Sequence, residues 1–263
     1  MERFYGKIRC MKVRFLGTGT STGVPQIGCR CEVCLSSDRR DKRLRSSVRL
    51  EVDNKLIMID CTPDFRQQVM HLPYRKIDGY LFTHEHYDHV GGIDDLRPFS
   101  RFGSIDLYME ERLEKVLRER MPYCFTPHNH GGIPDVKTKT INTKESFYIE
   151  SLEVIPIRVM HYKLPILGYR MGGFAYLTDV KTIPETEVNK LWGLDTLVVS
   201  ALRKTEHISH QTLGEALELV RRVKPRVTYF THISHEMGLH ATVENELPED
   251  IHLAYDGMEI HTR

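Results

Sequence analysis

Neither sign of charge dominates the 263 residues of this chain: 37 lysines and arginines stand against 36 aspartates and glutamates. So close a balance supplies no whole-molecule field to hold a polyanion, and any preference for phosphate has to come from a local site. Long apolar runs are missing as well. Nothing approaches the roughly 18 residues of a membrane span, and the stretch from Met1 to Met11 mixes polar and basic residues without an apolar centre. The sequence therefore reads as soluble, unexported and cytoplasmic, with no membrane partner. Fixed-period repeats, low-complexity tracts and Pro/Gly/Ser-rich linkers are absent too, so one domain over 1–263 is the economical reading. With 40% hydrophobic and 28% charged residues, the composition excludes disorder and suits a well-buried core.

Disulfide-type cysteine spacing is also lacking. Of six cysteines, Cys29, Cys31 and Cys34 stand too close together to pair comfortably with one another. Three unprotected thiols in one loop would be an oxidation liability, so metal binding is the better reading. The natural fourth ligand is His235, three residues after His232. Cys10, Cys61 and Cys124 are scattered and read as small buried side chains. The basic residues Arg39, Arg40, Lys42, Arg43 and Arg45 read as a solvated charged loop rather than a phosphate patch.

What the chain does contain is a series of short β-rich runs, at 13–16, 48–52, 56–59, 79–82, 105–108, 152–157, 174–177, 196–200, 227–230 and 252–255. Helical patterns lie between many of them. In 212–223, Leu213, Ala216, Leu217 and Val220 form an apolar stripe beside Glu215, Glu218, Arg221 and Arg222; 110–120 is a second. Strands interrupted by helices predict a mixed α/β architecture. Asp60, Thr83-His84, Thr178-Asp179 and Thr231-His232 each follow an apolar run directly, so several strand ends can bring polar residues to one rim.

The densest chemistry is Thr83-His84-Glu85-His86-Tyr87-Asp88-His89, followed by Val90-Gly91-Gly92. Imidazole and carboxylate ligands together suit zinc, manganese or iron. A tight loop can aim His84 and His86 at one ion and Asp88 and His89 at a second, and the adjacent glycines permit a close turn.

His84-x-His86-x-Asp88-His89 is the signature of metallo-β-lactamase-fold hydrolases, and the chain resembles that family. The resemblance implies an αββα four-layer sandwich with two catalytic divalent metals, Zn or Mn, at one edge. It implies His161 as third ligand of the first metal, Asp179 as bridging carboxylate and His232 as last ligand of the second. Asp60 matches a supporting aspartate that orients a ligand histidine. His86 stands where diiron redox members carry Glu, which favours hydrolysis. Such a metal pair lowers the pKa of a water and stabilises an anionic centre under attack.

Within the superfamily, the chain resembles the phosphoribosyl cyclic phosphate phosphodiesterase branch of phosphonate breakdown. The likeness runs through Phe15-Leu16-Gly17-Thr18-Gly19-Thr20, the cysteine loop, Asp60-Cys-Thr-Pro-Asp64-Phe-Arg66-Gln67-Gln68, Gly168-Tyr-Arg170, Thr231-His232-Ile-Ser-His235 and Ala254-Tyr-Asp256-Gly257. It implies that Cys29, Cys31, Cys34 and His235 hold one structural zinc, in a loop at about 28–45 that it would pin beside His232. It also implies a catalytic histidine before the helix at 212–223: His210 is the better match and His207 the fallback. Residues 122–132 mix aromatics, histidines and turn formers, as a lid or a plain loop would.

The expected activity is metal-dependent hydrolysis of a small cyclic phosphodiester, with Asp88 and His210 as catalytic residues and a small phosphorylated substrate as partner. A tRNase Z-type RNA 3′-processing nuclease is the alternative, disfavoured by the balanced charge and the lack of a long basic, Gly-rich insertion. A non-catalytic metal-bound sensor is the third reading, and a homodimer stays open.

Overall fold

The computed structural model describes residues 10–126 and 132–262. Among the described residues, fourteen strands form two seven-stranded sheets. The first sheet has β1 (Met11–Gly17), β2 (Ser47–Val52), β3 (Lys55–Ile59), β4 (Gly79–Leu81), β5 (Ile105–Met109) and β6 (Val136–Thr140) in order, with β14 (Glu259–Thr262) outside β1. The second runs from β7 (Phe147–Ile149) through β8 (Leu152–His161), β9 (Leu164–Met171), β10 (Phe174–Leu177), β11 (Thr196–Ser200) and β12 (Val227–Thr231) to β13 (Ile251–Leu253). The helices are α1 (Glu32–Leu35), α2 (Phe65–Val69), α3 (Tyr87–Val90), α4 (Glu111–Arg120), α5 (Glu185–Val188), α6 (Leu213–Val223) and α7 (His240–Glu246).

Alternation along the strands builds the layers. On β2, Val48, Leu50 and Val52 point between the sheets, where they meet Phe15, Ile57, Tyr169, Tyr176 and Val198. The outer face of the first sheet packs Leu56, Met58, Tyr80 and Leu107 against Leu113 and Leu117 of α4. The outer face of the second packs Leu197 and Val199 against Leu213, Ala216, Leu219, Val220 and Val223 of α6. Burying each such large side chain contributes about 1.5–3 kcal/mol over leaving it in water. The result is the expected helix–sheet–sheet–helix sandwich.

The helix at 212–223 forms with Thr212 as its cap: the Thr212 hydroxyl accepts from the Glu215 amide while Glu215 reaches back to the Thr212 amide. Four strands escaped the pattern. β6 is polar at every position but Val136, β7 and β14 are three and four residues long, and β9 contains Pro165 and Gly168; such strands lack the apolar periodicity that marks the others.

Strand direction positions the chemistry. β3 and β4 are parallel, as are β10, β11 and β12, and β8 runs with β10 because both are antiparallel to β9. Their carboxyl ends therefore deliver Asp60, His84, His161, Asp179 and His232 to one edge of the sandwich, the place where parallel sheets carry ligands.

Candidate metal centre

Three of these residues sit in strand-end turns with left-handed backbones: Asp60 (φ 61°), Asp179 (φ 53°) and His232 (φ 56°). Asp and His tolerate this region better than branched residues, and the conformation turns each side chain inward as the strand stops. The motif loop adds His84 and His86, and the single turn of α3 carries Asp88 and His89.

Asp179 lies at the middle. Its Oδ1 is 3.2 Å from both His89 Nε2 and His232 Nε2, and its Oδ2 is 3.8 Å from His84 Nε2 and 3.9 Å from His210 Nδ1. Asp88 Oδ2 is 3.2 Å from His89 Nε2 and 3.6 Å from His232 Nε2. Asp88, His89, Asp179 and His232 thus form one set of donors within 4.8 Å of each other, and His84, His86 and Asp179 another. His161 falls into a third such set with Asp179 and His210, its ring 5.1 Å from that of His86. One carboxylate with an oxygen toward each histidine set is the arrangement of a bridging ligand.

The donor atoms fit cations. His84 Nε2, His89 Nε2 and both ring nitrogens of His232 are buried and make no hydrogen bond, despite the short approaches to Asp179. Orphaned buried polar atoms are costly, and here they converge. Burial pushes His84 down, which favours the neutral ring a cation would need. Burial would push Asp179 up, but His232 and His89 outweigh it and hold the carboxyl well below its usual range.

The opposite ring nitrogens are held by neighbours, which settles the tautomers. Asp60 Oδ2 accepts from His89 Nδ1 at 2.7 Å and from the Thr83 hydroxyl at 2.9 Å. Because the Thr83 proton goes to Asp60, His84 Nδ1 donates to the Thr83 oxygen, at 3.0 Å. His161 Nδ1 donates to the Ser209 carbonyl at 2.9 Å. In each case Nε2 is the ring nitrogen left to face the cluster, where a bound cation would take its lone pair. Asp60 therefore accepts directly from His89 and reaches His84 through Thr83. Sequence reasoning noted Thr83, Thr178 and Thr231 ahead of their ligands without seeing a role; all three are buried.

The glycines act differently from the expectation. Gly91 (φ −64°) and Gly92 (φ −96°) both have ordinary backbones. The requirement is contact: a Cβ on Gly92 would lie 2.1 Å from the Thr62 carbonyl oxygen, where the Asp60 turn crosses the motif loop. Glu85, at a variable motif position, pairs with Arg112 of α4, and Arg120 donates to the Glu85 carbonyl at 2.6 Å. Nothing in the sequence flagged these two arginines.

His210 is buried between the rings of His161 (4.5 Å) and His232 (4.9 Å), and burial pushes it down to about 3. His207 stands one ring further out, 5.0 Å from His210. The cluster thus receives His210 and leaves His207 at its margin.

The second cluster assembles across more than 200 residues. Cys29 Sγ and Cys31 Sγ lie 3.4 and 3.3 Å from His235 Nδ1, and Cys34 completes the set. The Cys34 amide caps Cys31 Sγ at 3.5 Å and, with His235, draws the Cys31 thiol down to about 6, while burial pushes Cys34 up to about 11. His235 follows His232 by three residues, so its contacts with Cys29 and Cys31 bring the cysteine loop close to the His232 turn.

Arg43 and Cys10 sit otherwise than the sequence predicts. Arg43 is buried, donating to the Thr18 hydroxyl and the Ala254 carbonyl and contacting His240 Nδ1, so it is a packing centre and not a solvated loop residue. Arg40 pairs with Asp38 and Arg45 with Asp64. Cys61 and Cys124 are buried, but Cys10 is exposed. Of the segment 122–132, residues 127–131 lie outside the described residues.

The family model for the β-lactamase superfamily domain matches residues 55–233. An octanoyltransferase of Porphyromonas gingivalis is 41% identical over 251 residues, which cover 95% of this chain and 51% of that one; the chain thus spans about half of that relative. Coenzyme PQQ synthesis protein B of Methylobacterium radiotolerans is 33% identical over 129 residues, 41% of this chain and 43% of that one. Among solved structures, a diphosphatase from the PhnP family is 40% identical with a TM-score of 0.90, covering 97% of this chain and 98% of its own. Zinc-bound PqqB from Methylobacterium extorquens, 21% identical with a TM-score of 0.76 over 95% of this chain and 99% of its own, shares the fold. With the motif, the sandwich and the convergent donors in agreement, the chain belongs to the β-lactamase superfamily, within its PhnP family.

Proposed function

We propose that the cluster around Asp179 hydrolyses a small anionic phosphodiester, of the phosphoribosyl cyclic phosphate or cyclic nucleotide type. The observation that carries this is Asp179 itself, with one oxygen toward His89 and His232 and the other toward His84 and His210. His84, His86 and His161 would hold one divalent cation, Asp88, His89 and His232 a second, and Asp179 both. Zinc or manganese fits these ligands. Such a pair supplies Lewis acidity, activating water and offsetting charge on the phosphoryl oxygens. Cys29, Cys31, Cys34 and His235 would hold one structural zinc.

The chain's own residues do the rest. Asp60 and Thr83 fix the tautomers of His89 and His84. Arg112 and Arg120 hold the motif loop through Glu85. His210 faces the cluster beside Asp179 and protonates the departing sugar oxygen; since burial strips it of its proton in the free protein, the bound anionic phosphate has to hold that proton there.

The relative named a diphosphatase supports a second reading, in which the bond cleaved is a phosphoanhydride. An RNA substrate is less favoured, because Arg40, Arg43 and Arg45 are engaged within the protein. The test is a panel of cyclic phosphoribose, cyclic nucleotide, dinucleoside diphosphate and tRNA precursor, with Asp88→Ala as the inactive control. Preferred turnover of a cyclic diester supports the proposal; preferred cleavage of the diphosphate or the tRNA overturns it.

A further inference from the structure

A cavity of about 320 Å³ opens on the helix side of the first sheet, beneath α2. Its walls include Leu56, Met58, Phe65, Val69, Ile77 and Phe99, and it shares no residue with the metal centre. Its size falls at the lower end of small-molecule sites, which suits a short ligand. At its mouth Arg66 and Asp95, both exposed, oppose each other in charge.

The unusual wall residue is Arg49. On β2 it is the position between Val48 and Leu50, so it points away from the inter-sheet core into the helix layer, with its side chain 5% exposed. Its Nε makes no hydrogen bond, although Glu51 Oε1 lies 3.3 Å away. That carboxylate is shared, since Arg75 also reaches Glu51, at 3.7 Å. Arg14, opposite Arg49 on β1, is held by Glu259 at 2.7 Å. Arg49 lines the cavity while Glu51 and Arg75 lie outside its walls, so with one carboxylate between two guanidiniums the charge of Arg49 is only partly offset. Burial of an incompletely paired guanidinium is expensive, and nothing in the reaction uses it.

We propose that this cavity binds a small amphipathic carboxylate, its straight apolar chain against the walls and its head on Arg49. A guanidinium matches a carboxylate in a two-pronged hydrogen-bonded pair. One excess cation balances one carboxylate, whereas a phosphate monoester would bring a second, uncompensated charge. The chain supplies affinity by burying methylenes and Arg49 supplies the selection for the anion.

The test is calorimetric titration of the metal-loaded full chain with hexanoate, octanoate, decanoate and 1-octanol. Affinity should rise about threefold to fourfold per added methylene until the cavity is full. Octanoate should bind more than tenfold tighter than octanol. Arg49→Met should abolish that preference while keeping weak octanol binding, and Val69→Phe, which fills the cavity, should abolish both with hydrolysis unchanged. Octanoate bound equally by wild type, Arg49→Met and Val69→Phe would place it elsewhere, on the catalytic metals for example, and overturn the assignment. So would octanol matching octanoate in the wild type, or no saturable binding of octanoate.

Discussion

Replacing Asp60 by Asn tests the support of the metal centre without touching a ligand. Asp60 sits at φ 61°, a conformation Asn also accepts, so the strand-end turn survives. The carboxylate accepts from three donors: His89 Nδ1 at 2.7 Å, the Thr83 hydroxyl at 2.9 Å and the Thr83 amide at 2.9 Å. An amide has one oxygen. Whichever way Asn turns, its NH2 faces a donor, and at least one buried N–H or O–H is orphaned at about 1–3 kcal/mol. The charge-assisted bond to His89, itself about 1.5–3 kcal/mol, is lost as well. Most of this falls on the orientation of His89 and, through Thr83, of His84. We expect metal affinity, by chelator competition, and kcat/KM on a bis-aryl phosphodiester each to drop 10–100-fold. Thr83→Val, which cuts the relay to His84, should lower both by less. An Asp60→Asn protein within twofold of wild type in both assays would refute the view that Asp60 orients the ligands.

Gly92→Ala should destabilise the fold by more than about 1–3 kcal/mol, because the new methyl would lie 2.1 Å from the Thr62 carbonyl oxygen; an unchanged urea midpoint would contradict the contact argument. Elemental analysis should find about three metals per chain. Asp88→Ala should lose only the catalytic ones, and His235→Ala one structural metal with reduced hydrolysis, because its loop carries His232. Burial raises Asp256 from 3.8 to about 6, against the Leu44 amide, the Thr18 hydroxyl and Arg43. A carboxyl raised in the folded state binds its proton more tightly there than when unfolded, so its effect on stability worsens as pH rises between about 4 and about 6. Wild type should therefore lose about 3 kcal/mol more than Asp256→Asn across that window in urea titrations. Parallel stability curves for the two proteins would show that Asp256 is not raised.

Much of the centre was legible because its determinants are local. Strand runs followed at once by Thr-His or Thr-Asp mark the carboxyl ends of β4, β10 and β12, and short apolar runs rich in β-branched and aromatic residues locate those strands without tertiary information. β6 and β9 were missed because edge polarity, Pro165 and Gly168 erase the same signal. Arg43 was misread because a basic run looks solvated, whereas burial depends on Thr18, Ala254 and His240 arriving from elsewhere.

By itself the sequence determined the metal motif, the cysteine trio, the amphipathic helix α6 and the alternation of strands and helices, all written in short windows by residue type and spacing. Tertiary structure decided the rest: Asp179 dividing its oxygens between two histidine sets, Asp60 reaching His84 through Thr83, Gly92 yielding space to Thr62, and His235 closing on Cys29 across 206 positions. The reason is physical. Secondary-structure periodicity acts over a few residues, but donor convergence at a few ångströms is set by how two sheets pack and which strand ends they bring to one edge.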